Sequence, residues 1–214
     1  MAKSKYLIST VTGQIPNIVL HTETDSLKGG LILYLDDFLY KDSIYDTQNC
    51  DISLRELCAI NKDREILLAF KKSPKTLFSK RGNFKLSKER YSQILKIMKP
   101  DFYLDYSTLE IISTLENNSK LEYKFVEPKD CNEFYELAKK GGYFLGTNFA
   151  NEITKNKQMI KFENNKLEVV DAFDCTCCGD LEKEYLGYLL SINEINGFTY
   201  LTTHNYNILK EVIN

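Results

Sequence analysis

Residues 121–147 read LEYKFVEPKDCNEFYELAKKGGYFLGT, and this stretch decides the fold class. Leu121 to Val126 reads as a strand, Asp130 to Lys140 as a helix ended by Gly141-Gly142, and Tyr143 to Thr147 as a second strand. A strand–helix–strand unit of this kind predicts two parallel neighbours joined by a right-handed crossover.

The rest of the chain alternates in the same way. Tyr6 to Thr10 and Ile15 to His21 are short apolar stretches either side of Thr12-Gly13-Gln14, which predicts two strands and a turn. Gly29-Gly30 leads into Leu31 to Leu35, apolar throughout and therefore expected as a strand buried on both faces. Ser53 and Glu56 form a capping-box pair for a short helix reaching Ile60, and Glu65 to Phe70 is another strand. From Ser87 to Lys99, Tyr91, Ile94, Leu95 and Met98 recur at helical spacing until Pro100 stops the helix. Asp101 to Tyr106 alternates as a strand, Ser107 and Glu110 cap a brief helix, and Glu116 to Lys120 reads as a loop tip. Met159 to Phe162 and Lys166 to Val170 form a hairpin around Asn164-Asn165, followed by helices over Leu181 to Ile192 and Glu194 to Ile213.

Composition bounds what such a chain does. It has 214 residues, 43% of them hydrophobic, enough for one substantial domain with a real core. A net charge of −2 excludes a globally basic nucleic-acid binder. The start MAKSKYLIST lacks the apolar run of a signal peptide and no segment reaches membrane-spanning length, so a soluble cytoplasmic protein with reduced thiols is expected. One stretch departs from the acidic balance: from Lys71 to Arg90, six lysines and two arginines stand against Glu89 alone, with Phe78 and Phe84 interleaved. Such a run suits a phosphate backbone, or is simply a solvated hairpin and helix face.

The cysteines supply the sharpest local signal. Cys175, Cys177 and Cys178 fall together, and His204 follows after 25 intervening residues. Thiolate and imidazole are preferred Zn²⁺ ligands, and reduced thiols favour a metal over a disulfide. The plainer reading is a reduced, half-buried vicinal pair. A Cys177–His204 nucleophile pair is a third possibility, and His21 reads as an ordinary half-buried strand residue.

Several of these words resemble the tRNA-guanine transglycosylases. Cys178 with Leu201-Thr202-Thr203-His204-Asn205, whose His204 comes after 25 intervening residues, is similar to that family's zinc knuckle and helical histidine. In this register Cys175 and Cys178 take two cysteine positions, while the first falls on Phe173, with Cys177 or Asp174 as substitute ligands. Ile15-Pro16-Asn17 through Thr22, Gly82-Asn83-Phe84 through Phe102, and Val126-Glu127-Pro128 onward resemble the non-catalytic subunit of queuine tRNA-ribosyltransferase.

The resemblance implies an α/β chain forming a truncated (β/α)₈ barrel of the TIM type, short of its middle strand–helix units. It implies an N-terminal antiparallel β-sheet and first barrel strands over 1–106, the last barrel strands over 121–172, and a C-terminal zinc-binding helical lobe over 173–214, all in one domain. It also implies one structural Zn²⁺ on Cys175, Cys178 and His204. The nucleophile position falls on Gly146, which has no side chain, and the general-base position on Leu35, so no catalytic residue is expected. Asp36 is out of register, on a strand face pointing away from the site. The implied role is an accessory subunit in queuosine modification, paired with a catalytic subunit and meeting tRNA through the complex. A free-standing, zinc-stabilised interaction protein is the alternative.

Overall fold

The computed structural model describes residues 3–18, 27, 29–46, 51–115, 117–172 and 183–213. Strand β1 (Lys5–Ser9) and strand β2 (Gly30–Tyr34) open the chain, followed by the short helices α1 (Leu35–Phe38) and α2 (Leu54–Leu57). Then come β3 (Ile66–Ala69), the hairpin β4 (Thr76–Ser79) and β5 (Gly82–Lys85), helix α3 (Lys88–Met98), and β6 (Phe102–Leu104). Strands β7 (Ile111–Ser113) and β8 (Ser119–Lys120) precede β9 (Lys124–Val126), α4 (Cys131–Lys140), β10 (Tyr143–Leu145) and α5 (Asn148–Lys155). The hairpin β11 (Gln158–Glu163) and β12 (Lys166–Asp171), then helices α6 (Lys183–Ser191) and α7 (Ile195–Ile213), complete it.

Local chemistry accounts for most element ends. The Ser53 side chain accepts from Glu56 N while the Glu56 carboxylate accepts from Ser53 N, the reciprocal box expected from the pair. The Ser87 and Asp130 side chains cap α3 and α4, and Lys99 closes α3 in a left-handed conformation just before Pro100.

Several expected elements differ. The strand expected from Leu121 begins only at Lys124, and Ser119–Lys120, expected in a loop tip, pairs as β8. Ile15 to Ile18 is a turn rather than a strand, with Asn17 at φ 62°, and Val19 to His21 lie outside the described residues. Leu35 begins a helical turn instead of ending β2. Ser107 to Glu110 does not form a helix, because the Asp105 carboxylate accepts from Ser107 N and Thr108 N and folds the backbone into a turn entering β7.

The larger correction concerns the barrel. Eight strands form one sheet in the order β8-β7-β6-β3-β2-β1-β10-β9, in which β6, β3, β2, β1, β10 and β9 run parallel. The expected pair β9 and β10 are indeed parallel neighbours. Beyond β6, however, β7 and β8 are antiparallel and need only short turns. They occupy the sheet positions where further strand–helix units would stand, so the chain is not a truncated (β/α)₈ TIM barrel. Nor do the opening strands form an N-terminal antiparallel sheet among the described residues: β1 and β2 lie inside the parallel run, and the antiparallel sheet within 1–106 is the small β4–β5 hairpin.

The sheet is strongly curled. Phe102 on β6 and Phe144 on β10 are four strands apart in sheet order, about 19 Å if flat. Their ring centroids nevertheless stand 5.3 Å apart, edge to face. The edge strands β8 and β9 are joined by only Leu121 to Tyr123, a link that spans at most about 14 Å, and a flat eight-stranded sheet is about 34 Å wide. Tyr123 packs on Phe144 at 5.1 Å, on the side where the edges approach.

Alternation along each strand then separates inside from outside. Leu7, Ile32, Leu67, Phe102 and Phe144 line the concave side, with Lys5 over the Phe102 and Phe144 rings at 5.0 and 5.4 Å and paired to Glu65. Tyr6, Ile8, Leu31 and Leu33 occupy the opposite face, toward helices.

Helix α7 is held by packing within this same body. Tyr206 and Leu209 belong to the main core with Leu7 and Leu31, and Tyr6 Oη donates to Tyr206 O at 3.1 Å. A second cluster of Met159, Ala172, Leu186, Leu190 and Leu201 joins the β11–β12 hairpin to α6 and α7. The C-terminal helices are thus bound by apolar burial rather than set apart as a zinc-closed lobe, and among the described residues no three His, Cys, Asp or Glu side chains gather as a metal site. Also among the described residues, no helix is long and apolar enough to cross a membrane.

Candidate functional site at the carboxyl ends of the parallel strands

Parallel strands deliver their carboxyl ends to one mouth of the curled sheet, the customary place for a ligand or active site in such sheets. Ser9 ends β1, Tyr34 ends β2, Glu127 follows β9 and Gly146 follows β10. Strand alternation puts all four on the concave side, and the structure ties them together.

Ser9 and Thr147 clasp each other. Ser9 N donates to Thr147 Oγ1 at 3.1 Å, and Thr147 N donates to Ser9 Oγ at 2.9 Å. Ser9 Oγ in turn donates to Glu127 Oε1 at 3.0 Å, the same oxygen that accepts from the Tyr34 hydroxyl. Gly146 N donates to Val126 O at 2.9 Å and locks the turn beside Glu127. Outside the strand, Tyr206 Oη donates to Asn151 Oδ1 at 2.6 Å, and Asn151 Nδ2 reaches Ser9 O at 3.5 Å.

Burial pushes the Glu127 carboxyl above its ordinary value of 4.5, against the opposing pull of the Tyr34 and Ser9 hydroxyls and the Asn148 amide. Burial, then the neighbouring Glu127 charge, pushes the Tyr34 phenol up as well. Both groups favour their neutral forms, yet each spends its polar atoms on neighbours within the protein. This arrangement clamps three strand ends.

A pH dependence follows. Because the folded state binds the Glu127 proton more tightly than the unfolded chain, its contribution is fully present below about pH 4.5. It is lost as pH rises through the raised native value. Urea unfolding across this range is expected to show stability falling with pH from this group, and Glu127→Gln is expected to flatten that slope. An unchanged slope in the variant would exclude Glu127 as its source.

Gly146 matters through what it lacks. A Cβ built there would lie 2.6 Å from Glu127 Cδ and 3.1 Å from Oε2. The Glu127 carboxylate therefore fills the space where a side chain at 146 would begin.

Asp36 has a different role from the one expected. In the helical turn α1 it is fully buried, its Oδ1 accepting from Phe78 N at 2.7 Å and its Oδ2 from Lys71 N at 3.0 Å. It anchors the β4–β5 hairpin to the mouth. Asp37 pairs with Lys71.

Of the expected metal ligands only His204 is described; Cys175, Cys177, Cys178, Asp174 and Phe173 lie outside the described residues, as does His21. His204 Nε2 stands 2.8 Å from Ile160 O, a contact that puts its proton on Nε2, and burial lowers its pKa, favouring neutral imidazole. Neutral imidazole anchored through one nitrogen to a carbonyl is the form that coordinates zinc through the other, and equally a satisfied buried histidine. The described thiols Cys58 and Cys131 are buried and pushed up to about 11 and about 12, which leaves them unreactive near neutrality.

Sequence reasoning assigned no role to Glu127, Tyr34 or Ser9. The available signal was positional, since an acidic residue directly after a strand of a strand–helix–strand unit sits at the mouth of the sheet. No protein-family model matches the chain, and no curated protein matches it.

Proposed function

We propose that this chain is a non-catalytic accessory subunit of a heterodimeric queuine tRNA-ribosyltransferase, acting in the cytoplasm to support queuosine modification of the tRNA wobble base. The observation that carries the proposal is at position 146. The resemblance sets the attacking carboxylate there, and this chain has glycine with the Glu127 carboxylate packed into the vacated space. A mouth whose polar groups are spent on one another suits a subunit that leaves the chemistry to its partner.

A second observation supports the same reading. Two of the words that resemble the family lie far apart in sequence and meet in space. Asn17 Nδ2 donates to Thr202 Oγ1 at 3.2 Å, and Thr199 Oγ1 donates to Asn17 O at 2.7 Å. In the resemblance these segments contribute to the subunit interface.

One structural Zn²⁺ on Cys175, Cys178 and His204 belongs to the proposal, supported on the described side by His204, which Ile160 O anchors through Nε2. It would add metal-binding energy to folding.

The test is co-purification. Tagged protein co-expressed with a tRNA-guanine transglycosylase catalytic subunit should elute as a one-to-one complex in native mass spectrometry, with one zinc on this chain. Cys178→Ser and His204→Ala should each lose the zinc and weaken the complex. A zinc-bearing chain that never pairs with the catalytic subunit would instead establish the free-standing interaction protein.

A further inference from the structure

The β4–β5 hairpin turns one face to the core and the other to solvent. Leu77 and Phe84 are cross-strand partners on the inner face; Phe78 and Asn83 are partners on the outer one, beside Thr76 and Lys85. Phe78 is 38% exposed, a large aromatic ring on the outer face of the hairpin. Lys72 Nζ sits 5.4 Å from the centre of that ring, and Arg81 lies over Tyr40 at 4.6 Å.

The charge around the ring is unbalanced. Lys72, Lys75, Lys80 and Lys85 are exposed, and none has an ion pair among the described residues. The chain as a whole carries −2, so this is a local positive field rather than a general property of the surface. The two bonds from Phe78 N and Lys71 N to the buried Asp36 hold the hairpin in place, so little ordering remains to oppose binding.

We infer that this outer face binds single-stranded nucleic acid, with an unpaired base stacked on Phe78 and the flanking phosphates held by Lys72, Lys80 and Lys85. Stacking needs an exposed ring with cations at its margin, and an extended backbone needs them spaced along it. Phe78 and Lys85 share the outer face, Lys72 lies over the ring, and Lys80 stands at the hairpin turn. An acidic protein would use the lysines but have no need of the ring. The inference stands on charge and geometry and is independent of pairing with a catalytic subunit.

Fluorescence anisotropy with a labelled oligouridylate of about 12 nucleotides tests it, against an RNA duplex of equal length and polyglutamate as competitors. The full chain should bind the oligouridylate more tightly than the duplex, and polyglutamate should compete poorly. Phe78→Ala should weaken binding roughly tenfold. Replacing Lys72, Lys80 and Lys85 by glutamine should lower the slope of log affinity against log salt by about 2, at about 0.7 per phosphate contact. The three lysines are exposed, so the glutamine variants should retain the wild-type urea midpoint, and Lys85→Gln alone serves as the mildest control. Absence of binding at about 50 mM salt, equal affinity for the duplex, or indifference to Phe78→Ala would each overturn the inference.

Discussion

Gly146→Asp is expected to destabilise the chain by on the order of 3–5 kcal/mol. The new side chain must displace Glu127, whose Cδ stands 2.6 Å from the required Cβ position, and it brings a second carboxyl into a buried site. Displacing Glu127 also breaks its bonds from Ser9 and Tyr34, which join β1 and β2 to the β9 end. Gly146→Ala carries only the steric part and should cost about 1–3 kcal/mol. Truncating Glu127 to alanine in the Gly146→Asp background should recover part of the loss, because the two side chains compete for one space. Urea unfolding measures all three variants. A Gly146→Asp protein as stable as wild type would mean that Glu127 does not fill that space, and the main support for a non-catalytic mouth would go with it.

Asn205→Ala is expected to cost about 2–4 kcal/mol. Asn205 is fully buried, its Oδ1 accepting from Ile160 N at 2.7 Å. Its Nδ2 donates to Thr154 Oγ1 at 3.0 Å and to Gln158 O at 3.3 Å. One amide therefore binds α7 to both β11 and the end of α5, and alanine leaves the Ile160 amide buried without its acceptor. The expected signature is specific as well as large, with loss of Ile160 amide protection in hydrogen exchange alongside a lower urea midpoint. A change below about 0.5 kcal/mol, the range of ordinary surface substitutions, would show that α7 is held by apolar packing alone.

Asn205 also shows how a sequence word carries meaning beyond the role first suggested for it. Thr202, His204 and Asn205 stood out as a possible metal-site context. In the fold each makes a polar contact of its own, to Asn17, Ile160 O and Ile160 N respectively. The same three residues thus serve to dock α7, whether or not His204 also meets a metal.

Much of the local structure was legible in the sequence. Ser53 with Glu56, the apolar spacing of Tyr91, Ile94 and Met98, and Asn164-Asn165 between alternating strands each specify their element through contacts a few residues apart. The parallel pairing of β9 and β10 followed from the intervening helix. The antiparallel partners β7 and β8 escaped because strands of two or three residues carry too little alternation to register.

What only the tertiary structure decided was the order of the sheet and the company Glu127 keeps. Placing β1 between β2 and β10 joins Lys5 to Phe144 and Tyr6 to Leu145, and Ser9 to Glu127, pairings separated by more than a hundred residues. Periodicity encodes which face of a strand is buried but not which strand lies beside it. That choice is made by the whole core packing at once, and it turns Glu127, an unremarked residue before a proline, into the clamp at the mouth of the sheet.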